Sequence, residues 1–221
     1  MNKNLTEIIF IIDKSGSMNR LTEDTIGGFN GVLESQRESV DGEAVVTTVL
    51  FNGFSTKLHD RLDIREVEPM TRKDYIAGGS TALLDAIGQT IQDVQDRIDE
   101  LDEKDRPAHV VVAITTDGEE NASTHYTKER VQKMVTHQTR GHGWEFLFLG
   151  ANMDAIKEAA TLGITYASNY VPDSIGTRTV YTAMDSAIKG IRTDGTVNAL
   201  WSQEASSYYS TTASNASGNP S

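Results

Sequence analysis

Residues 7–17 read Glu7-Ile8-Ile9-Phe10-Ile11-Ile12-Asp13-Lys14-Ser15-Gly16-Ser17. Five consecutive apolar residues, four of them β-branched, make a strand. The lack of alternation makes it a strand covered on both faces, as in the interior of a parallel sheet. The run stops at a carboxylate and a Ser/Gly turn, so it delivers oxygen donors to its carboxyl end. Further runs occur at Ala44 to Phe51, His109 to Thr115, Trp144 to Gly150 and, more weakly, Ile164 to Ala167. Between them Leu84, Ile87, Ile91, Val94, Ile98 and Leu101 recur at steps of three and four, one apolar stripe along a helix. Val180, Ala183, Met184, Ala187, Ile188 and Ile191 do the same ahead of Gly195. Val131, Met134 and Val135 mark another helix, Asn152 to Leu162 one more, and a first helix follows the Ser/Gly turn. Strand and helix in alternation predict an α/β fold with a mainly parallel sheet. Ser55 to Ile64 alternates loosely just after the second strand, which predicts a hairpin return and an antiparallel edge.

The composition narrows the function. The chain has 221 residues, 32 Asp+Glu against 20 Lys+Arg, and a formal net charge of −12. Nucleic acid and acidic membranes need a basic surface that releases counterions, so neither is an expected partner. A cation or a basic surface is the more natural guest. With no cysteine, a disulfide scaffold, a thiol nucleophile and a Cys-based zinc site are excluded. The run Ile8 to Ile12 is too short for a signal-peptide core or a membrane span, and no later stretch approaches the roughly 18 apolar residues a span needs. A cytoplasmic protein is expected.

In open α/β sheets ligands sit beyond the carboxyl ends of the strands. Three loops there present hard oxygen donors on glycine-containing turns: Asp13-Lys14-Ser15-Gly16-Ser17, Gly78-Gly79-Ser80-Thr81, and Thr116-Asp117-Gly118-Glu119-Glu120-Asn121. Carboxylate and hydroxyl oxygens, with few enough charges to leave room for water, suit Mg²⁺ or Mn²⁺.

Asp13-Lys14-Ser15-Gly16-Ser17 resembles the DxSxS signature of von Willebrand factor A (vWA) domains. Gly79-Ser80-Thr81-Ala82-Leu83-Leu84-Asp85-Ala86 and Thr116-Asp117-Gly118 resemble that family's second and third metal loops, in the family's order. Short Asp/Ser/Gly strings are weak signals singly; three in order, each at a strand end or helix start, are strong. The resemblance spans roughly residues 5–192. It implies a Rossmann-like, three-layer vWA fold over residues 1–195 of an intracellular, bacterial-type member. It also implies that Asp13, Ser15, Ser17, Thr81 and Asp117 line an intact metal-ion-dependent adhesion site (MIDAS). In the family the hydroxyls bind directly, the aspartates often act through water, and a partner's carboxylate fills the last position. The implied function is a metal-dependent adaptor that captures an Asp or Glu of a protein partner. Intracellular members serve in larger assemblies, including those of AAA+ ATPases and stress or tellurium resistance. Lys14, Met18 and Glu119 occupy variable positions and take no metal role.

Other features have plainer readings. Gly27, Gly28 and Gly31 fit no phosphate-binding pattern and are assigned to close helix–sheet packing. The five histidines form no metal-ligand spacing. Asp93, Asp96, Asp99, Glu100, Asp102 and Glu103 read as the solvated face of the long helix. Asn121-Ala122-Ser123 matches a glycosylation acceptor, which carries no weight without a secretion signal. Residues 196–221, rich in Ser, Thr, Asn and Gly, are expected to be a flexible tail. The competing enzyme reading makes Asp13 the acceptor of a Mg-dependent phosphatase or phosphoacceptor domain. The phosphatase pattern wants an aspartate where Ser15 stands, a receiver's acidic pair and downstream lysine are missing, and no general base is in place. The chain is therefore expected not to be an enzyme.

Overall fold

The computed structural model describes residues 1–38, 42–151 and 154–217. Strand β1 (Asn2–Asp13) leads through a 3₁₀ turn (Gly16–Leu21) into α1 (Thr22–Glu38), then β2 (Glu43–Phe51) and β3 (Ser55–Asp63). After a long loop come α2 (Leu83–Glu100), β4 (Pro107–Thr116), α3 (Lys128–His137), β5 (Glu145–Ala151), α4 (Ala155–Thr161), β6 (Tyr166–Tyr170), α5 (Ser174–Asp194) and α6 (Gln203–Ser217). The strands form one sheet in the order β3-β2-β1-β4-β5-β6. Every neighbouring pair is parallel except β2 with β3, the antiparallel edge.

The unbroken apolar run of β1 has the predicted consequence: every residue from Leu5 to Asp13 is buried. Ile8, Phe10 and Ile12 enter a core shared with Phe29 and Val32 of α1 and Met184 and Ile188 of α5. Ile9 and Ile11 point the other way, into a core shared with Ile87 and Ile91 of α2 and Val131 and Val135 of α3. Helices therefore cover both faces, and burial on both sides is what holds β1 in the middle. The one charge within the buried stretch before its end, Glu7, is paired with Arg97 and, at 3.6 Å, with Arg61. A buried carboxylate survives when it is paired in this way. With β1 and β4 adjacent, strand order runs outward in opposite directions from their junction. This switch point opens a crevice at the carboxyl ends of the two strands.

Three expectations need correction. The weak fifth strand lies at Tyr166–Tyr170, a few residues later than Ile164 to Ala167, and Leu162 and Ile164 lie in the connection before it, buried in the core shared with α3 and α4. Of the three glycines on α1, only Gly28 is a close-packing position, and it packs on a helix: a Cβ there would lie 2.4 Å from Cδ2 of Tyr181 on α5. At Gly27 and Gly31 an added Cβ meets nothing within 4 Å. Finally, the Ser/Thr-rich end is not all unstructured, since residues 203–217 form α6. Its Ala205 and the preceding Trp201 are buried in the α1/α5 core, and Tyr208 donates a hydrogen bond to Asp173 at 2.9 Å. The expected helix start at Asn152 and the last four residues of the expected tail lie outside the described residues. Among the described residues no helix is long and apolar enough to cross a membrane.

Candidate metal centre

Asp13 is the last residue of β1 and is fully buried. Its carboxylate is fixed from two sides: Ser15 N–H donates to Oδ1 at 2.6 Å and Thr116 Oγ1 donates to Oδ2 at 2.6 Å. Its backbone carbonyl accepts the Tyr75 hydroxyl at 2.5 Å. The turn that follows is stitched to the second loop, Gly16 N–H to Gly79 O at 3.0 Å and Gly78 N–H to Lys14 O at 2.8 Å. Gly79 has a positive φ of 81°, which a side chain would disfavour, so glycine here lets the two loops approach.

The hydroxyls gather along this seam. Ser15 Oγ and Ser17 Oγ share a hydrogen bond of 3.1 Å, and Ser17 Oγ donates to Asp117 Oδ1 at 2.5 Å, joining residues 100 apart in sequence. Thr81 is buried just before α2, with its N–H on Asn121 Oδ1 and its carbonyl receiving Asn121 N–H, both at 3.0 Å. Gly118 closes the ring: a Cβ there would stand 3.3 Å from Thr81 Oγ1 and 3.5 Å from Ser17 Oγ. Its lack of a side chain leaves open the space that those two hydroxyls border. The five residues singled out from the sequence thus converge at the β1/β4 switch point, with Ser17 the exposed member of the set.

Electrostatics identifies the kind of guest. Burial pushes Asp13 up to about 6, against the lowering effect of the Thr116 and Ser15 hydrogen bonds, and the charge of Asp117 pushes the same way. Burial likewise raises Asp117. Burial disfavours the charged form of both aspartates, the charge of Arg20 counters this at Asp117, and a small cation between the two carboxylates would favour both anions further. Two carboxylates and three hydroxyls form an all-oxygen set of the kind that hard divalent ions take. Among the described residues no group of three or more His, Cys, Asp or Glu side chains is placed to hold a metal ion. A set of two carboxylates with hydroxyls falls outside such a group by its nature.

Sequence reasoning did not find the residues that brace the loops. Glu120 accepts the N–H of Leu84 in the first turn of α2 at 2.9 Å, and also those of Ala122 and Ser123. It caps a helix whose own cap position, Ala82, has no side-chain oxygen to offer, and it offsets the positive helix terminus beside Thr81. Asp85 accepts the N–H groups of Thr124, His125 and Tyr126, and Asn52 holds Gly78 O and Ala82 N–H. The apparent glycosylation acceptor Asn121-Ala122-Ser123 is part of this bracing. Asn121 fixes Thr81, and Ser123 Oγ accepts Asp85 N–H at 3.0 Å. The available signal was Ala82, a poor cap at the start of a strong helix, which implies that the cap comes from elsewhere.

No family model and no curated protein sequence matches the chain. Solved structures do. The PilB minor pilin from Streptococcus sanguinis superposes with a TM-score of 0.61 at 9% identity, over 85% of this chain and 62% of that one. A von Willebrand factor type A protein from Catenulispora acidiphila gives 0.57 at 15% identity, over 86% and 43%. A manganese-loaded TRAP protein from Plasmodium vivax gives 0.55 at 18% identity, over 77% and 70%. The chain thus spans about six-tenths of the pilin and less than half of the Catenulispora protein. At these identities the likeness concerns architecture, and the architecture is the vWA fold.

Proposed function

We propose that the chain is a metal-dependent protein-binding module: Asp13, Ser15, Ser17, Thr81 and Asp117 form an intact MIDAS for Mg²⁺ or Mn²⁺, through which an Asp or Glu of a partner is captured. The observation that carries this reading is the convergence of three loops, distant in sequence, on one oxygen-lined space at the β1/β4 switch point. The manganese carried by the TRAP protein of similar fold supports a divalent ion of this kind. When bound, the ion supplies a Lewis-acidic position that a carboxylate can complete while balancing its charge. The protein's own groups orient that position. Ser15 N–H and Thr116 Oγ1 fix the Asp13 carboxylate, Asn121 fixes Thr81, and Gly118 keeps the approach clear. Without the ion, an incoming carboxylate meets Asp13 and Asp117 and is repelled.

In this reading the protein is an adaptor rather than an enzyme. Both Asp13 carboxylate oxygens already accept hydrogen bonds within the fold, which supports an orienting role over attack on a phosphoryl group. The partner is a protein inside the cell, in an assembly of the AAA+ or stress-resistance kind. Affinity purification from cells with and without a chelator, beside Asp13→Ala and Thr81→Ala, tests it. The expected result is a partner lost under all three conditions from proteins that remain folded. A partner that survives chelation and Asp13→Ala would place the binding surface elsewhere.

A further inference from the structure

The loops that brace the candidate metal centre also hold two large apolar side chains out into solvent. Phe54 is 66% exposed and Ile76 is 69% exposed. Both stand at the carboxyl edge of the sheet and are tied to the metal loops. Phe54 ends the turn after β2, where Asn52 N–H donates to Phe54 O and Asn52 O accepts Ala82 N–H. Gly53, between them, sits against Ser80: a Cβ there would lie 3.0 Å from Ser80 Oγ. Ile76 follows Tyr75, whose hydroxyl holds the Asp13 carbonyl, and precedes Gly78, whose N–H holds Lys14 O. Lys14, the residue between Asp13 and Ser15, brings its Nζ to 5.8 Å from the Phe54 ring centroid.

Exposed aromatic and aliphatic groups cost solubility, and where they cluster beside polar groups they mark recognition surfaces. The Lys14 backbone bonds to both segments, its N–H to Phe51 O three residues before Phe54 and its carbonyl to Gly78 N–H two residues after Ile76, and Lys14 is a positive charge on a chain of net charge −12. This edge therefore offers a cation and apolar surface side by side, next to the residues that would hold the metal. A segment that brings a carboxylate to the metal also brings its neighbouring side chains over this surface.

We infer that Phe54, Ile76 and Lys14 form the specificity surface of the metal site, and that its occupant is a loop of a partner protein in which the metal-seeking Asp or Glu has a large apolar side chain within two residues. The inference rests on the metal-dependent capture proposed above. The apolar neighbour packs on Phe54 and Ile76, and Lys14 favours acidic over basic residues beside it. Desolvating one such side chain separates matching from non-matching loops by about tenfold in affinity.

The test uses the full chain, loaded with Mg²⁺ or treated with chelator, to select from a displayed library of nine-residue peptides. The central residue of each peptide is Asp or Glu and the rest are randomised. The double variant Phe54→Ser/Ile76→Ser is run in parallel, with Ile76→Ser alone as a milder variant if the double variant fails to fold; neither residue is a proposed metal ligand. The expected result on the native protein is a metal-dependent enrichment, about tenfold over the unselected library, of Leu, Ile, Phe or Met within two positions of the acid. The variants should still retain acid-centred peptides in a metal-dependent way but lose that flanking preference. Retention of acid-centred peptides by the native protein with no apolar preference, or an unchanged preference in the variants, would overturn the specificity surface and leave the metal reading standing. Failure to retain any acid-centred peptide in a metal-dependent way would contradict the capture reading and the surface together.

Discussion

Asp13 has two demands on it that pull in opposite directions. As the last residue of a buried strand it sits where a charge is costly, and burial pushes its carboxyl up to about 6. As a candidate ligand it must be ionised. The surrounding hydrogen bonds reconcile the two by stabilising the anion, so the residues that donate them should matter to metal affinity without touching the metal. Thr116→Val, which removes a donor to Asp13, and Asn121→Ala, which releases the Thr81 backbone, are each expected to weaken Mg²⁺ or Mn²⁺ binding about tenfold while leaving the fold intact. Calorimetric titration of both variants checks this, and unchanged affinities would show that the bracing is irrelevant to the site. A second residue gives a pH signature away from the metal. His59 is buried, with its Nδ1 3.0 Å from Thr48 Oγ1, and burial holds its imidazole below the ordinary value of 6.5. The unfolded chain takes up a proton near 6.5 that the native state refuses until lower pH. This contribution to stability is therefore present above 6.5 and is lost as pH falls from there towards the lower native value. Urea unfolding between about pH 7.5 and pH 5.5 should show a steeper loss for the native protein than for His59→Gln, and equal slopes would contradict the assignment.

The elements separate what periodicity can report from what it cannot. The unbroken run of β1, the loose alternation of β3 and the stripe from Leu84 to Ile98 each state their environment in the sequence, because burial on two faces, one face or one stripe fixes which positions are apolar. Gly27, Gly28 and Gly31 are alike in sequence, and only the approach of α5 distinguishes them. Gly28→Ala would push a methyl to within 2.4 Å of the buried Tyr181 ring and is expected to cost about 1–3 kcal/mol. Gly27→Ala meets open space in mid-helix and should instead stabilise by about 0.5–1 kcal/mol. Chemical denaturation of the two variants side by side decides, and changes of the same sign would contradict the packing described for α1 and α5. Helix α6 was illegible for a different reason. Its Ser/Thr-rich sequence has weak helical preference, and its position comes from a few contacts such as Ala205 in the core and Tyr208 on Asp173. A chain ending at Ser202 should keep cooperative unfolding but lose about 1 kcal/mol, a fall in Tm of about 2–4 °C by calorimetry. An unchanged Tm would show α6 to be energetically idle, and loss of the cooperative transition would show it to be integral to the fold.

Over the whole molecule, the parallel sheet does the gathering. Because β1 and β4 are neighbours with opposite outward progressions, loops 100 residues apart meet at one edge, as Ser17 and Asp117 do. The five candidate positions, which the vWA resemblance picked out, do come together at this edge, because each lies in a short string at a strand end or helix start. Glu120, Asn52 and Tyr75 were not legible in the sequence, because their partners are backbone groups of other loops, and backbone groups leave no trace in composition. On a chain with 32 acidic against 20 basic residues, a divalent ion bound at this edge would be the largest local positive charge. Titration of Mg²⁺ and of Mn²⁺ into metal-stripped protein, followed by calorimetry and by thermal unfolding, tests this most directly. The expected result is saturable binding at one site, silent in Asp13→Ala. For a dissociation constant of about 0.1 mM, roughly 1 mM metal should stabilise the fold by about 1.4 kcal/mol. An absence of heat and of any change in Tm with either ion, or the same binding in Asp13→Ala, would contradict it.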